Sequence, residues 1–372
     1  MWSGMLPELL NMISHKYIVF YEDYLTFARV CKSWHSAAAR GDYLNGPPSR
    51  SPSLLLAEKE DDGREFRELF LLSNKSIRKI RLPEAYGKVC RSSCGWLVTV
   101  GRDRVAQLIN PLSRETINLP KADTFDTRLG LSKCHEGPRK LLIVTNNPSS
   151  LKLPLVVVLW GSFNKMGFCR PGVNKWTTIG YHNLIYDITY YNRQVYTIDN
   201  YYYNIRACDV HGEDPTKLVC KSSLLSYLND PKQVVRGVPY IIGLDEGERK
   251  RLLVVLRQGM KDGYSTFETY KTKRFLIFAY DFKDTTWSSV KDLGKKTLFV
   301  GQSSTFWVED TTGVIKSNCI YFTDDFNFLY NQSRNGGGRD MGIYHLSNGT
   351  IEPHFTGESR SSLTPPIWLE SM

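Results

Sequence analysis

The sequence predicts a small helical module followed by a large all-β domain, and therefore an α+β multidomain chain. Two observations indicate this fold class: the spacing of apolar residues changes along the chain, and a proline-rich segment lies where it changes. Apolar residues stand at helical spacing from residue 6 to residue 40, whereas later residues form short β-type runs between turn residues. We place the helical module at residues 1–45, a linker at 46–53 and the β domain at 54–372.

The helical module is predicted from two groups of apolar residues that each fit one face of a helix. The first group follows the i, i+3, i+4, i+7 spacing and comprises Leu6, Leu9, Leu10 and Ile13. Pro7 stands in the first turn, where a helix tolerates proline. The second group has a similar spacing and comprises Phe27, Val30, Cys31 and Trp34. Three prolines in residues 45–52 then disfavour any regular element, so the boundary is drawn there.

The β domain is predicted from short apolar runs bounded by turn residues, at 95–100, 155–159, 195–198, 252–256, 275–278 and 319–322. Further segments have the form of a hairpin, with an apolar strand, a turn and an alternating strand: 108–119, 168–179, 278–290 and 343–351. Helix is expected only in patches such as residues 218–228. The repetition favours a β-propeller of four-stranded blades, although a β-sandwich or two tandem barrels would contain many of the same strands.

Composition excludes several classes of protein. The chain of 372 residues is 41% hydrophobic and 23% charged, which is typical of a globular protein with a real core. No apolar run is long enough to span a membrane, and the N-terminus lacks a secretory signal. The eight cysteines are then expected to be reduced thiols, and the net charge of +10 is spread along the chain, which does not favour nucleic-acid binding. We expect an intracellular protein of the nucleus or cytoplasm with no membrane contact.

The first residues resemble an F-box. The residues that carry the resemblance are Leu6-Pro7-Glu8-Leu9-Leu10 with Ile13, then Asp23-Tyr24-Leu25, and finally Val30-Cys31-Lys32-Ser33-Trp34. The family opens on Leu-Pro-x-Glu-Leu and closes on Val-Cys-x-x-Trp, so the close matches fully and the opening is a variant. Residues 17–20 depart from the family, because Tyr-Ile-Val-Phe is a β-branched and aromatic run of low helix propensity.

This resemblance implies a three-helix F-box that binds a Skp-family adaptor, and through it a cullin, in a Skp–cullin–F-box (SCF) ubiquitin ligase. The residues that it implies at the adaptor-binding site are Leu6, Pro7, Leu9, Leu10, Ile13, Leu25, Val30, Cys31 and Trp34. We expect the first five along the contact itself and the last four mainly between the helices. A module this small buries little surface alone, which agrees with a partner covering its apolar face. The alternative is a helical cap on the β domain.

The β domain is similar to the C-terminal part of one group of plant F-box proteins, formerly a domain of unknown function and described as a KIB-type β-propeller. The segments that carry this resemblance run in order along the chain, at residues 94–99, 110–112, 119–120, 168–172, 175–177, 318–325, 340–344 and 365–368. The resemblance implies a propeller that binds a protein target for ubiquitin transfer. The sequence does not identify that target.

No set of residues predicts catalysis, a metal site or a cofactor. Cys90-x-x-x-Cys94 and Cys134-His135 lack the spacing of a structural zinc site, so we expect core thiols. The glycines at 336–338 are interpreted as a flexible loop and the tyrosines at 201–203 as a strand with a turn. Three acids near strand ends are interpreted as turn residues, namely Asp324, Asp325 and Asp340.

Two functions remain open at this point. The leading hypothesis is a non-catalytic adaptor that recruits a protein target to a ubiquitin ligase. The alternative is a propeller hydrolase or carbohydrate-binding protein with a helical N-terminal cap, since one fold hosts many functions. Two carboxylates facing each other across a central funnel, or a bound metal, would favour the alternative.

Overall fold

The computed structural model describes residues 4–17, 26–40, 51–59, 63–111, 114–124, 137–144, 155–161, 165–179, 184–199, 202–228, 237–259, 270–310 and 313–370. Two helices occupy the N-terminal part, α1 (Pro7–Tyr17) and α2 (Lys32–Arg40), and residues 26–28 are helical as well. Pro7 begins α1, where its missing N–H is not needed, and Glu8 places a carboxylate near the positive end of the helix dipole. The start of the chain is therefore helical, as predicted.

The strands follow in chain order. The first are β1 (Ser53–Leu55), β2 (Phe66–Leu71), β3 (Ser76–Arg81), β4 (Val89–Ser93), β5 (Trp96–Val100), β6 (Ala106–Ile109), β7 (Thr116–Asn118) and β8 (Pro138–Val144). Next are β9 (Leu155–Trp160), β10 (Lys165–Cys169), β11 (Thr177–Ile179), β12 (Ile185–Tyr191), β13 (Gln194–Asp199), β14 (Asn204–Cys208), β15 (Val219–Ser223) and β16 (Val238–Glu246). The last are β17 (Arg249–Gln258), β18 (Arg274–Asp281), β19 (Thr286–Val290), β20 (Lys296–Val300), β21 (Phe306–Glu309), β22 (Cys319–Phe322), β23 (Gly342–His345), β24 (Ile351–Glu352) and β25 (Ile367–Leu369).

These described strands form six sheets, which are the blades of a β-propeller. Four blades follow the chain directly: β4 to β7, β8 to β11, β12 to β15 and β16 to β19. The first strands of successive blades lie side by side, since β4 contacts β8, β8 contacts β12 and β12 contacts β16. They therefore surround the central axis, while the last strand of each blade lies at the outside. The predicted fold class, a helical module before an all-β propeller, is confirmed.

The two ends of the β domain close the ring together. The first blade has the strand order β25-β1-β2-β3, so its inner strand comes from the C-terminal end of the chain. Leu54 of β1 pairs with Trp368 of β25 in an antiparallel ladder, and β25 also contacts β4 of the next blade. Such closure pairs strand edges that would otherwise be left open.

The sixth blade is irregular at the axis. Its order is β21-β20-β22-β23-β24, and β20 runs parallel to β22, whereas the other described strand pairs are antiparallel. Residues 301–305, which connect β20 to β21, are all buried. The backbone N–H of Ser304 donates to Ser92 O of β4 at 3.0 Å, and Thr305 Oγ1 donates to Asp187 of β12 at 2.7 Å. This segment therefore lies where the inner strands converge.

Burial explains why the strand patterns differ within a blade. All six residues of β9 are buried, because a middle strand packs against neighbouring blades on both faces. The outer strand β15 instead has exposed residues in its first three positions. Middle strands thus read as continuous apolar runs, such as the predicted 155–159, and outer strands as alternating or polar ones.

All four predicted hairpins are present, as β6–β7, β10–β11, β18–β19 and β23–β24. The helix expected at residues 218–228 is wrong in its first half. Residues 219–223 form β15, because pairing with β14 completes the fourth blade, and the short helix α3 (Leu224–Tyr227) follows. A second short helix, α4 (Asn327–Tyr330), lies between β22 and β23.

Domain bounds stay a prediction, although β1 begins at Ser53, within the segment that we predicted as a linker. Within the described residues, no helix is long and apolar enough to cross a membrane.

Candidate partner-binding surface

The helical module has a very small core. Three of the described residues are buried in it, Leu10, Phe27 and Ala37, and the centre of the Phe27 ring lies 4.4 Å from that of the Trp34 ring. The partly buried side chains around them are Met5, Ile13, Ala28 and Trp34. A core of this size buries little apolar surface, so the module gains little stability by itself.

Large apolar side chains lie on the outside of the same module. Leu6, Leu9 and Met12 are 62%, 44% and 57% exposed and follow one i, i+3 row along α1. Val30, in the turn before α2, is 52% exposed. Exposed side chains of this size are common singly, but four of them on a unit of two short helices mark a surface that a partner can cover. We call these four residues the apolar face.

The structure divides the predicted adaptor-binding residues into two groups. Leu6, Pro7, Leu9 and Val30 are exposed, whereas Leu10 is fully buried and Ile13 and Trp34 pack against it. Leu10 was expected along the contact, but its side chain is buried. Val30 was expected to hold the helices together and to reach the partner in part, and its side chain is 52% exposed. Helix rotation explains the difference for Leu10, since adjacent residues in a helix point about 100° apart. Leu25 lies outside the described residues.

Cys31 has a local role at the start of α2. The hydroxyl of Ser33 lies 3.1 Å from Cys31 Sγ, and the Cys31 carbonyl accepts the N–H of His35 at 2.9 Å. Hydrogen bonds lower the pKa of the Cys31 thiol, and the bond to the Ser33 hydroxyl has a larger effect than the bond to the backbone N–H of Trp34. Cys31 therefore caps the helix whose Trp34 packs on the module's core.

In the propeller, two of the three acids predicted as turn residues converge on one buried arginine. Arg257 Nη1 donates to Asp325 Oδ1 at 2.9 Å, and Nη2 donates to Asp340 Oδ2 at 3.0 Å. Arg257 Nε donates to Thr272 Oγ1 at 2.7 Å, and the guanidinium lies 4.7 Å from the centre of the Phe322 ring. Burial alone would lower the pKa of Arg257, but Tyr240 and the two carboxylates raise it. This arrangement joins the loop between β22 and β23 to β17.

The third acid, Asp324, orders the glycine-rich loop. Its Oδ2 accepts the hydroxyl of Tyr270 at 2.6 Å and the backbone N–H groups of Gly338 and Arg339 at 2.9 and 3.1 Å. Gly338 has φ +115°, and a Cβ there would lie 2.1 Å from the carbonyl oxygen of Ser359. The flexible loop expected at residues 336–338 is therefore wrong: these glycines are buried, because the chain must pass closely against its neighbours.

Nothing in this network favours the hydrolase alternative. Asp325 and Asp340 face the same guanidinium rather than each other across a funnel. Within the described residues, no group of three or more His, Cys, Asp or Glu is placed to hold a metal ion. Cys90 is buried, and burial raises the pKa of the Cys94 thiol to about 12, as in core thiols. The predicted pair Cys134-His135 lies outside the described residues.

A buried ion pair at the axis is a feature that the sequence analysis did not predict. Lys140 Nζ of β8 lies 3.2 Å from Asp187 Oδ1 of β12, and both side chains are buried. Lys140 also donates to the carbonyls of Gly301 and Ser303 in the sixth blade. Lys140 and Asp187 are far apart in the sequence, so the pair cannot be recognised from local spacing. A lysine at the start of a strand and an acid inside an apolar run are nevertheless signals of buried charges that need partners.

The described tyrosines at residues 201–203 differ in burial. Tyr203 is buried and Tyr202 is half exposed at the turn between β13 and β14, while Tyr201 lies outside the described residues. The hydroxyl of Tyr203 donates to Gly237 O at 3.3 Å, which gives it a packing role. A single exposed tyrosine does not define a recognition site.

Comparisons with known proteins agree with the resemblances described above. The protein "Putative F-box protein At5g55150" of Arabidopsis thaliana is 26% identical over 87% of this chain and 85% of its own length. "F-box protein SKIP23" of the same plant is 24% identical over 100% of this chain and 96% of its own length. The solved structure of YCF48 from Cyanidioschyzon merolae matches with a TM-score of 0.39 and 11% identity, over 76% of this chain and 78% of that one, which is too distant to support a conclusion.

The family profile described as "KIB1-4 beta-propeller" matches residues 69–345, which run from β2 to β23. The match includes most of the landmarks on which the resemblance depends, from Cys94-Gly95 to residues 340–344. Cys94 and Gly95 have φ of 49° and 74°, the left-handed turn that joins β4 to β5. The chain belongs to the KIB1-4 beta-propeller family.

Proposed function

We propose that this protein is the substrate-recruiting subunit of an SCF ubiquitin ligase. In this proposal the apolar face binds a Skp-family adaptor, which links the chain to a cullin, and the propeller binds a protein target. The observation that carries the proposal is the apolar face itself, formed by Leu6, Leu9, Met12 and Val30. The described residues of the module bury just three hydrophobic side chains in its core. Its relatives are named F-box proteins, which supports the same role.

The apolar face suits an adaptor contact for energetic reasons. Burying a large aliphatic side chain contributes about 1.5–3 kcal/mol relative to leaving it exposed, so covering several of them gives useful affinity. Leu10 and Trp34 support this surface from within, since both pack in the core of the module. The adaptor then completes a hydrophobic core that the chain builds only in part.

A non-catalytic role for the propeller is supported by the contacts of the three acids near its strand ends. Asp325 and Asp340 are bound to Arg257, and Asp324 is bound to Tyr270 and backbone N–H groups. These contacts hold loops together. The work of the chain is then proximity: a target on the propeller and an enzyme recruited through the adaptor have a high effective concentration for one another.

Capture of a purified Skp-family adaptor by the full chain tests this proposal. A Leu6→Glu, Leu9→Glu double variant should lose capture, because two charges would have to be buried at the interface. Val173→Glu and Val219→Glu in the propeller are matched controls, since both valines are about as exposed as Leu9 and should leave capture unchanged. Equal capture by the double variant and the wild-type chain would refute the assignment.

A further inference from the structure

Arg91 is a buried cation without a carboxylate partner. It lies on the inner strand β4 and is 5% exposed. Its Nη1 donates to Cys90 O at 2.6 Å and its Nε donates to Arg139 O at 3.1 Å, so both of these bonds go to backbone carbonyls. Within the described part of the chain no Asp or Glu lies within ion-pair distance of it. Burial lowers the pKa of Arg91 to about 10, because removing a charge from water disfavours the charged form.

Arg139 lies beside it on the next inner strand. In β8 the ladder with β9 pairs Pro138 with Trp160 and Lys140 with Leu159, so Arg139 is the extra residue of a bulge. A bulge re-aims the side chain of its extra residue. Arg139 is partly exposed, and among the described contacts its guanidinium makes no hydrogen bond or ion pair.

A second bulge lies at the matching place in the following inner strand. In β12 the ladder shifts between Ile185 and Asp187, which makes Tyr186 the extra residue. Strands β8 and β12 are in contact, so Arg139 and Tyr186 lie on adjacent inner strands. Burial and the Asp325 charge raise the pKa of Tyr186, while the Arg139 charge opposes the rise. Two neighbouring inner strands thus carry a bulge near their first residue, with Arg139 and Tyr186 as the extra residues.

Tyr330 of α4 completes this region. Its hydroxyl oxygen accepts a hydrogen bond from Gln302 Nε2 at 2.7 Å, which leaves the hydroxyl hydrogen to donate. Burial raises the pKa of Tyr330 to about 12, and the Arg91 charge opposes that rise, as does the charge of Arg139. Arg91, Arg139, Tyr186 and Tyr330 therefore bring two cations and two phenols together near the axis.

Arg257 provides the comparison within the same molecule. It is as deeply buried as Arg91, but it holds two carboxylates, Asp325 and Asp340. The charge of Asp325 raises the pKa of Arg91 slightly against burial, but that carboxylate is bound to Arg257 and Tyr240. The protein therefore neutralises one buried arginine with carboxylates and leaves the other without a carboxylate at ion-pair distance among the described residues.

We propose that Arg91 and Arg139, together with Tyr186 and Tyr330, bind one anionic group of the target protein, either a phosphate or a carboxylate. That the anion belongs to a target protein rests on the proposed function, whereas the anion site itself does not. Guanidinium groups match both anions with two parallel N–H bonds, and the phenol hydroxyls can donate to the remaining oxygens. The net charge of +10 also attracts such a ligand from a distance.

Inorganic phosphate is the first probe, added to the full chain at constant ionic strength with chloride as the reference salt. Phosphate should raise the unfolding temperature of the wild-type chain, because a ligand that binds the folded state stabilises it. Arg139→Gln should abolish the rise, and it is a mild change because this guanidinium has no described partner. Arg170→Gln, which removes an exposed arginine beyond the end of β10, is the matched control and should retain it. No rise in the wild-type chain, or an equal rise in both variants, would overturn the proposal.

Immobilised random peptides with a central phosphoserine, glutamate or serine distinguish a protein-borne anion from free phosphate. Phosphoserine or glutamate peptides should retain the wild-type chain, serine peptides should not, and Arg139→Gln should bind about tenfold more weakly. A phosphate response without peptide retention would contradict the protein target as the carrier. Adaptor capture is measured on the same samples: Arg139→Gln should capture the Skp-family adaptor normally, so failure of the anion site is distinct from failure of the proposed function.

Discussion

Lys140 and Asp187 form a buried ion pair between neighbouring blades, with 3.2 Å between Nζ and Oδ1. The Asp187 carboxylate also accepts the hydroxyl of Thr305 at 2.7 Å and the backbone N–H of Ile241 at 3.0 Å. Lys140 in turn donates to the Gly301 carbonyl. Four consecutive blades, from β8 to the segment after β20, are therefore held by one pair of side chains.

Breaking this pair should destabilise the whole propeller. Lys140→Met leaves the Asp187 carboxylate buried without its counter-charge, which costs about 3–5 kcal/mol of unfolding free energy. The exposed pair of Lys316 and Glu352 is the control, and Lys316→Met should cost less than about 1 kcal/mol. Urea unfolding monitored by tryptophan fluorescence measures both. Similar losses in the two variants would show that the axis pair has no special role.

Ring closure should depend on Trp368. Its side chain is 1% exposed and its ring lies 5.0 Å from that of Phe299, and its carbonyl accepts the hydroxyl of Ser303 at 2.7 Å. Trp368→Ala should reduce the unfolding free energy by about 3–5 kcal/mol, because it leaves a large cavity between the first and last blades. Trp307→Ala, at a partly exposed position of β21, should have a clearly smaller effect. Thermal unfolding of the two variants measures both losses of unfolding free energy. Equal losses would contradict the role of Trp368 in ring closure.

Acid should destabilise the fold through His354. Burial lowers the pKa of His354 to about 4 from the ordinary 6.5, and its Nε2 lies 3.1 Å from the Phe322 carbonyl. Because the neutral ring is favoured in the folded chain, its contribution is complete above pH 6.5 and is lost as the pH falls toward 4. Between pH 7 and pH 4.5 this single group should remove about 2.5 kcal/mol.

Unfolding free energies of the wild-type chain and His354→Gln at those two pH values measure this effect. On acidification from pH 7 to pH 4.5, the variant should lose about 2.5 kcal/mol less unfolding free energy than the wild-type chain. His211→Gln, at an exposed position, tests for any general effect of removing an imidazole. Identical pH dependence in the wild-type chain and His354→Gln would contradict the assignment.

Local chemistry explains which features were predictable from the sequence. The hairpins depend on residues close together in the chain, and Cys94-Gly95 supplies the two positive φ angles that join β4 to β5. Middle strands such as β9 are recognisable because both of their faces are buried. The helix predicted at residues 219–223 is wrong because these residues complete a blade as its fourth strand, and that requirement comes from the sheet and not from the segment itself.

The parts of the candidate sites that were not predictable depend on contacts between distant segments. Arg91, Arg139 and Tyr186 belong to three different blades, and the two bulges that contain the last two residues have no local sequence signature. The choice between Leu9 and Leu10 as surface residue depends on how α1 is rotated against Phe27, which the apolar spacing alone leaves open.

The division of labour between the helical module and the propeller is tested most directly by quantitative mass spectrometry of proteins recovered with the full chain from cells treated with a proteasome inhibitor. The wild-type chain should recover a Skp-family adaptor, a cullin and a set of ubiquitin-modified proteins. The Leu6→Glu, Leu9→Glu variant should recover the same target proteins, because its propeller is unchanged. These proteins should lack the ubiquitin modification, and the adaptor and the cullin should be absent. Recovery of adaptor and cullin in equal amounts by both chains would contradict the assignment of the apolar face, and with it the proposed function.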